Sequence, residues 1–470
     1  MAALRHSLTE GPILKSLAAL SLPIVFANVL QSAYQLTDTF WVGRLGGEAV
    51  AAVSVSFPLI FLTIALGGGF TVAGSTLVAQ FTGAGDSRMV NLVAGQTILA
   101  VLVAAAVLST VGYVATGPLL RLVGVEDAVF EEATRYMRIS FLGLVFLFGY
   151  FMYQSLMRGL GEVRVPLYIV GGTVLLNLVL DPLFIFGWGP VPPMGVAGAA
   201  YATIGTQSVA MVVGFAVLFG GHYGIDLREV RFRPHFRMLK QIFVLGLPAS
   251  IEQSTRATGM SLMIFLVAGF GTVTLAAFGI GTRILTFVVI PALGLSMATA
   301  TLVGQNMGAG NVPRANAIAR LSALVAFVAL SVAGVLCFAF AGPLVRFFVP
   351  GDAAVTGEAV VFLRIMALFF GLIGVQQAFI GAFRGSGNTL MSMVLALLTV
   401  WVFQFPIAYL LSHHTDLGAR GLWWAFPVSN VLGCLATAAW FFQGGWQKKR
   451  IVRPARAKVS RRIITQEGMQ

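Results

Sequence analysis

The sequence predicts an all-α membrane protein, with twelve transmembrane helices in two pseudo-twofold-related six-helix bundles around a central cavity. Three observations carry that prediction: a scarcity of charge, twelve long apolar runs, and an internal repeat. Charged residues make up 10% of the 470 and hydrophobic ones 58%, with a mean hydropathy of +0.89. An ordinary soluble domain carries about 25% charge, so most of this chain has no water to face.

Apolar runs of about 20 residues, each bounded by Gly, Pro or charge, mark candidate spans. They fall at 13–41, 48–78, 91–116, 129–156, 163–187, 194–220, 239–265, 273–303, 315–341, 358–383, 389–412 and 417–444. The first contains Pro23 and Asn28, has no small-residue cleavage site and continues as helix, so it is expected to be a retained span rather than a signal peptide. The run at 48–78 is longer than a perpendicular crossing needs and predicts either tilt or a break near Gly67-Gly68-Gly69.

The net charge of +13 raises the possibility of nucleic acid, but its placement argues for a membrane. With a cytoplasmic N-terminus and twelve spans, 21 basic residues fall inside, among them Arg5, Lys15, Arg158, Arg384, the 228–240 loop with Arg231, and the tail from Lys448 to Arg462. Only 7 fall outside, and Arg256 and Arg283 lie within spans. This bias predicts both termini in the cytoplasm of a multi-pass cell-membrane protein, with the basic tail against anionic lipid and no nucleic-acid partner. Cys337 and Cys434 sit in apolar helices, and no disulfide framework is indicated.

The repeat is seen in six ordered matches. STLVAQFTGAGD (75–86) pairs with ATLVGQNMGAGN (300–311) at an offset of 225, aligning Gln80 with Gln305. Leu22-Pro23 pairs with Leu247-Pro248, Gly117-Pro118-Leu119 with Gly342-Pro343-Leu344, and residues 131–140 with 357–366. Arg158-Gly159-Leu160-Gly161 pairs with Arg384-Gly385-Ser386-Gly387, and 195–201 with 418–424. Six helices is an even number, so the repeats are parallel, related by an axis along the membrane normal. The chain divides into an N-terminal lobe (1–220), a cytoplasmic linker (221–238), a C-terminal lobe (239–445) and a basic tail (446–470). Two such lobes around a cavity suit alternating access.

Five ionisable residues fall well inside spans: Asp38, Asp181, Glu252, Arg256 and Arg283. On insertion scales each costs about 2.5–3.5 kcal/mol at a helix centre, so each needs a reason. Asp38 and Asp181 reach similar depths on the first and fifth spans, with Asn177 one turn before Asp181. Asn28, Gln31, Gln35 and Asp38 form one polar stripe, which must face protein or water. Two carboxylates sharing one pocket repel each other and favour taking up a proton. Two plainer readings stay open: Asp38 at the membrane interface, and Asp181 capping a turn before Pro182. Glu252 and Arg256, four apart, suit a structural ion pair that Arg283 extends. Pro23 is a candidate hinge or a static bend.

The pattern LPIVFANVLQSAYQLTDTFWVGRLG, the paired LVAQFTGAGD and LVGQNMGAG, the GLG after Arg158 and NLVLDPLFIFG resemble the multidrug and toxic compound extrusion (MATE) family over about residues 12–445. The Gly-Asp-Arg signature of the major facilitator superfamily, which also has parallel halves, is absent. The resemblance implies a DinF-like member whose cation site uses Asp38, Asp181, Asn177 and Thr203. A NorM-like site in the second lobe is not implied, since the tenth span has no Asp. The expected activity is cation-coupled antiport, most simply of protons with sodium as the other option, exporting lipophilic or cationic drugs. Gln31, Tyr34, Gln35, Tyr150, Tyr153 and Met157 are the candidate cavity residues. A flippase for lipid-linked precursors is the alternative, although two acids in the first lobe suit a pyrophosphate poorly. With no HExxH, no GxSxG and all five His outside the spans, no enzyme, metal or cofactor is expected, and a monomer is.

Overall fold

The computed structural model describes residues 8–230, 232–448 and 451–452; Arg5, Arg231 and nearly all of the basic tail lie outside the described residues. The helices are α1 (Ile13–Gly43), α2 (Gly47–Gly83), α3 (Ser87–Val123), α4 (Asp127–Leu160), α5 (Arg164–Phe186), α6 (Gly195–Phe219), α7 (Phe236–Ala268), α8 (Thr272–Gly308) and α9 (Val312–Ala339). After them come α10 (Ala341–Phe348), α11 (Ala353–Ala367), α12 (Phe370–Ser386), α13 (Thr389–Leu397), a π-helical segment (Leu398–Gln404), α14 (Phe405–His413), α15 (Ala419–Gln443) and the short α16 (Gly445–Lys448).

Twelve spans follow from this order. Nine are the single helices α1–α6, α8, α9 and α15, and Thr389–His413 is a tenth; α11 and α12 together form one more, bent by 52°. The remaining span is α7, whose apolar face is interrupted by Glu252, Gln253 and Arg256. No break occurs at Gly67-Gly68-Gly69: α2 is one helix of 37 residues, about 55 Å long at 1.5 Å per residue. Its glycines serve packing instead. A Cβ on Gly67 would enter the Phe148 ring, and one on Gly69 would strike the backbone of Gly246 and Ser250 on α7.

The paired Gly-Ala-Gly loops have a physical explanation. Gly83 and Gly308 end α2 and α8 where the two helices touch, and a Cβ on either would collide with the carbonyl of Gln305 or Gln80 respectively. Gly85 and Gly310 turn the chain at φ of +74° and +78°, a conformation that suits glycine. Asp86 and Asn311 then cap α3 and α9 by accepting hydrogen bonds from Met89 N and Arg314 N.

The same end of the molecule is closed by reciprocal bonds between the repeats. Gln80 Nε2 donates to Gly385 O (2.9 Å), and Gln305 Nε2 donates to Gly159 O (3.0 Å). Thr76 adds a bond to Arg384 O (3.0 Å). The starts of α1 and α7 cross over as well. Leu17, Leu20 and Ile24 pack with Leu295, Leu302 and Phe383, while Ile242 and Leu245 pack with Leu77 and Val93. Each buried amide bond is worth about 1 kcal/mol. Removing both glutamines (Gln80→Ala with Gln305→Ala) is therefore expected to raise the open population roughly 30-fold. Deuterium uptake across 76–85 and 301–310 checks this, and uptake equal to wild type would remove the latch.

The 221–238 connection is docked on α3. Asn91 Oδ1 accepts from Asp226 N (3.0 Å), and Gln96 bonds both Arg233 O and His235 N (3.0 and 2.8 Å). Its own Ile225 and Leu227 are buried in the core of the N-terminal half. On its surface the Arg228 guanidinium bonded to Asp226 holds that carboxyl below the usual carboxylate range.

Candidate functional site

The N-terminal carboxylate pocket is built from α1, α4, α5 and α6. Asp181 is fully buried in the interior of α5, which runs unbroken through Pro182, so it is not a turn cap. Asn177, one turn earlier, donates from Nδ2 to Asp181 Oδ1 at 2.7 Å. That single bond leaves Asp181 Oδ2 and Asn177 Oδ1 buried with no partner among the described residues. Asp38 Oδ1, on α1, is in the same situation.

Asp38 and Asp181 lie near each other, and the phenols of Tyr34 and Tyr136 lie near both. Tyr34 is buried and its hydroxyl shares a 2.8 Å hydrogen bond with Thr206 Oγ1. Thr206 in turn donates to the Thr203 carbonyl (2.9 Å), so α6 is tied to α1 through this hydroxyl chain. Three buried oxygens without donors would each cost about 1–3 kcal/mol if nothing met them. A hydrogen-bond donor, a proton or a small cation placed among Asp38, Asp181 and Asn177 would satisfy them. Among the described residues no three His, Cys, Asp or Glu side chains gather to hold a metal ion.

The other candidates divide. Gln31 is half-buried and Gln35 exposed, along α1 below Asp38. Tyr150, Tyr153 and Met157 do not line an opening: all three are at most 1% exposed and lie within the packed core of the N-terminal half. They face inward because α4 is the central helix of that half, wedged between α2, α3 and α6. Pro23 sits inside an α1 that remains continuous on both sides of it. Tyr136 and Thr206 join the pocket without a signal in the sequence, as a Tyr and a Thr in apolar helices carry no distinguishing pattern.

In the C-terminal half, Glu252 is fully buried and held by two guanidiniums. Arg384, at the end of α12, bonds Oε1 through Nη2 (2.7 Å) and Oε2 through Nε (3.3 Å). Arg256 bonds Oε1 at 3.3 Å and Gln377 Oε1 at 3.2 Å. The cluster is completed by Arg384 and not by Arg283, which is exposed and makes no ion pair among the described residues. Arg283 is exposed on α8, whereas Arg384 is carried to Glu252 by the close packing of Gly381 and Gly385 against Ser296 and Ala300 of α8.

A twelve-span duplicated bundle with a buried acidic pocket in one half defines a polytopic membrane transporter. The MatE family model matches the chain twice, over residues 23–183 and 248–410, and the protein belongs to the MatE family. It is thereby a transporter and not an enzyme. The chain is similar to the probable multidrug resistance protein YoeA of Bacillus subtilis, 29% identical over 450 residues covering 95% of this chain and 96% of that protein. It is also similar to an FAD transporter of Shewanella oneidensis, 29% identical with 91% and 94% covered. A crystal structure of MATE in the straight conformation matches with a TM-score of 0.86 at 28% identity, covering 93% of this chain and 97% of that one.

Proposed function

We propose that the protein is a proton-coupled multidrug antiporter that exports lipophilic or cationic compounds across the cell membrane by alternating access. The observation that carries this reading is the placement of Asp38 and Asp181 in one pocket, with buried oxygens that a proton or cation would satisfy. Relatives named for multidrug resistance support the substrate class. In this reading Asp38, Asp181 and Asn177 form the coupling site, with Thr203 and Thr206 tying α6 to it. Protonation there alters the bend of α1 at Pro23, where the missing N–H leaves the helix easy to flex. The two lobes (1–220 and 239–445) rock about the 221–238 linker, both termini face the cytoplasm, and the basic tail rests on anionic lipid. The unit that does this is a monomer.

Proteoliposomes with imposed gradients test the reading. Export is expected to follow a proton gradient and to collapse on adding a protonophore. Export driven by a sodium gradient alone would reassign the coupling ion. In the same assay Pro23→Ala is expected to slow turnover several-fold with the protein intact, and an unchanged rate would make Pro23 a static bend.

A further inference from the structure

Between α7, the π-helical segment and α15 lies a cavity of about 200 Å³ whose chemistry is opposite to that of the carboxylate pocket. Its walls include Arg256, Gln404 and Asn430 as polar groups and Met260 and Phe426 as apolar ones. The only carboxylate nearby among the described residues, Glu252, is already gripped through both oxygens by Arg384. Arg256 is therefore a second cation on one neutralised acid, and the Glu252–Arg384–Arg256 cluster carries a net charge of +1.

Arg256 is also the member of the cluster that remains open. Its side chain is 40% exposed, against 14% for Arg384 and none for Glu252. Both of its hydrogen bonds leave from Nη2, so Nε and Nη1 meet no acceptor among the described residues. Gln404 and Asn430 line the same cavity, and neither amide has a hydrogen-bond partner among the described residues. Gln404 is carried there by the end of a seven-residue π-helical segment, and such segments recur at functional sites.

A guanidinium edge with two free donors matches a carboxylate, sulfonate or phosphate in geometry as well as charge. Met260 and Phe426 supply a surface for a ring. We propose that this cavity binds an aromatic organic anion, its anionic group on Arg256 with help from Gln404 and Asn430, its ring against Met260 and Phe426. The site is distinct from the carboxylate pocket, and its occupancy does not depend on which ion drives transport. It extends the substrates of the protein to aromatic anions.

Calorimetric titration of the full chain in neutral detergent tests this with two probes sharing one ring system, 1-naphthalenesulfonate and 1-naphthylmethylammonium. The sulfonate is expected to bind, more weakly as salt rises. Arg256→Gln is expected to lower its affinity about tenfold or more, Arg256→Lys to retain part of it, and both to leave ammonium binding unchanged. Gln404→Leu, which touches no ion pair, is expected to weaken the sulfonate several-fold and provides the test should Arg256→Gln fail to fold. The proposal is overturned by a wild-type protein that takes up no sulfonate at millimolar concentration. It is equally overturned by a folded Arg256→Gln or Gln404→Leu protein that binds it as wild type does.

Discussion

Asp38→Asn is expected to reduce drug resistance in a hypersensitive host to the level of cells lacking the protein, with the variant still present in the membrane at wild-type amount. The substitution keeps the size of the side chain and its place on α1, and removes its capacity to cycle between charged and protonated forms. It leaves the 2.7 Å bond between Asn177 and Asp181 in place. A variant that folds and docks normally but cannot exchange its ion stalls in one state, so the loss should be complete rather than partial. Wild-type resistance from Asp38→Asn would take Asp38 out of coupling altogether.

Removing Arg384 or Glu252 alone is expected to be the most destabilising single change in the C-terminal half. Arg384→Met leaves a fully buried carboxylate with only the longer bond from Arg256, and Glu252→Gln leaves the partly buried Arg384 guanidinium without its counter-charge. Breaking such a pair costs about 3–5 kcal/mol. The double replacement Glu252→Gln with Arg384→Met removes both charges and should recover most of that loss. Arg256→Gln should be mild, since Arg384 still satisfies Glu252 through two bonds. Thermal unfolding in detergent checks the series. A double variant that loses the sum of the two single losses would mean that Glu252 and Arg384 do not act as a pair.

Much of the fold was legible because the bilayer forces long apolar runs, and because duplication writes the same motifs twice. The GAG loops announced themselves by recurrence, and the structure supplies the reason in close approach, turn and cap. Gly67 to Gly69 proved not to be a weak point, since glycine in a helix reads equally as a break or as a place for a neighbour. The acidic positions were legible because charge inside a span is rare. Arg384 was not legible as a partner of Glu252: at the end of its span it counts as a loop charge. Its repeat mate Arg158 offered no hint, because the position matching Glu252 at an offset of 225 is Ala27. Tyr150, Tyr153 and Met157 failed as cavity residues for a different reason. Hydropathy tells membrane from water, but it does not tell a helix at the centre of a bundle from one at its edge.

The reciprocal glutamine bonds also set a timetable. Gln80 is synthesised 225 residues before Gln305, its mate in the other repeat. At about 5–20 residues per second of translation, that separation amounts to roughly 10–45 s. For that interval the glycine-lined face of α2 and the first turns of α1 stand in the bilayer without the surfaces they are shaped to meet. The nascent first half must therefore persist as a half-finished, lipid-solvated object. Its last assembly step is the docking of two already inserted bundles, so defects in the seam should surface as failures of biogenesis before they are ever seen as failures of transport.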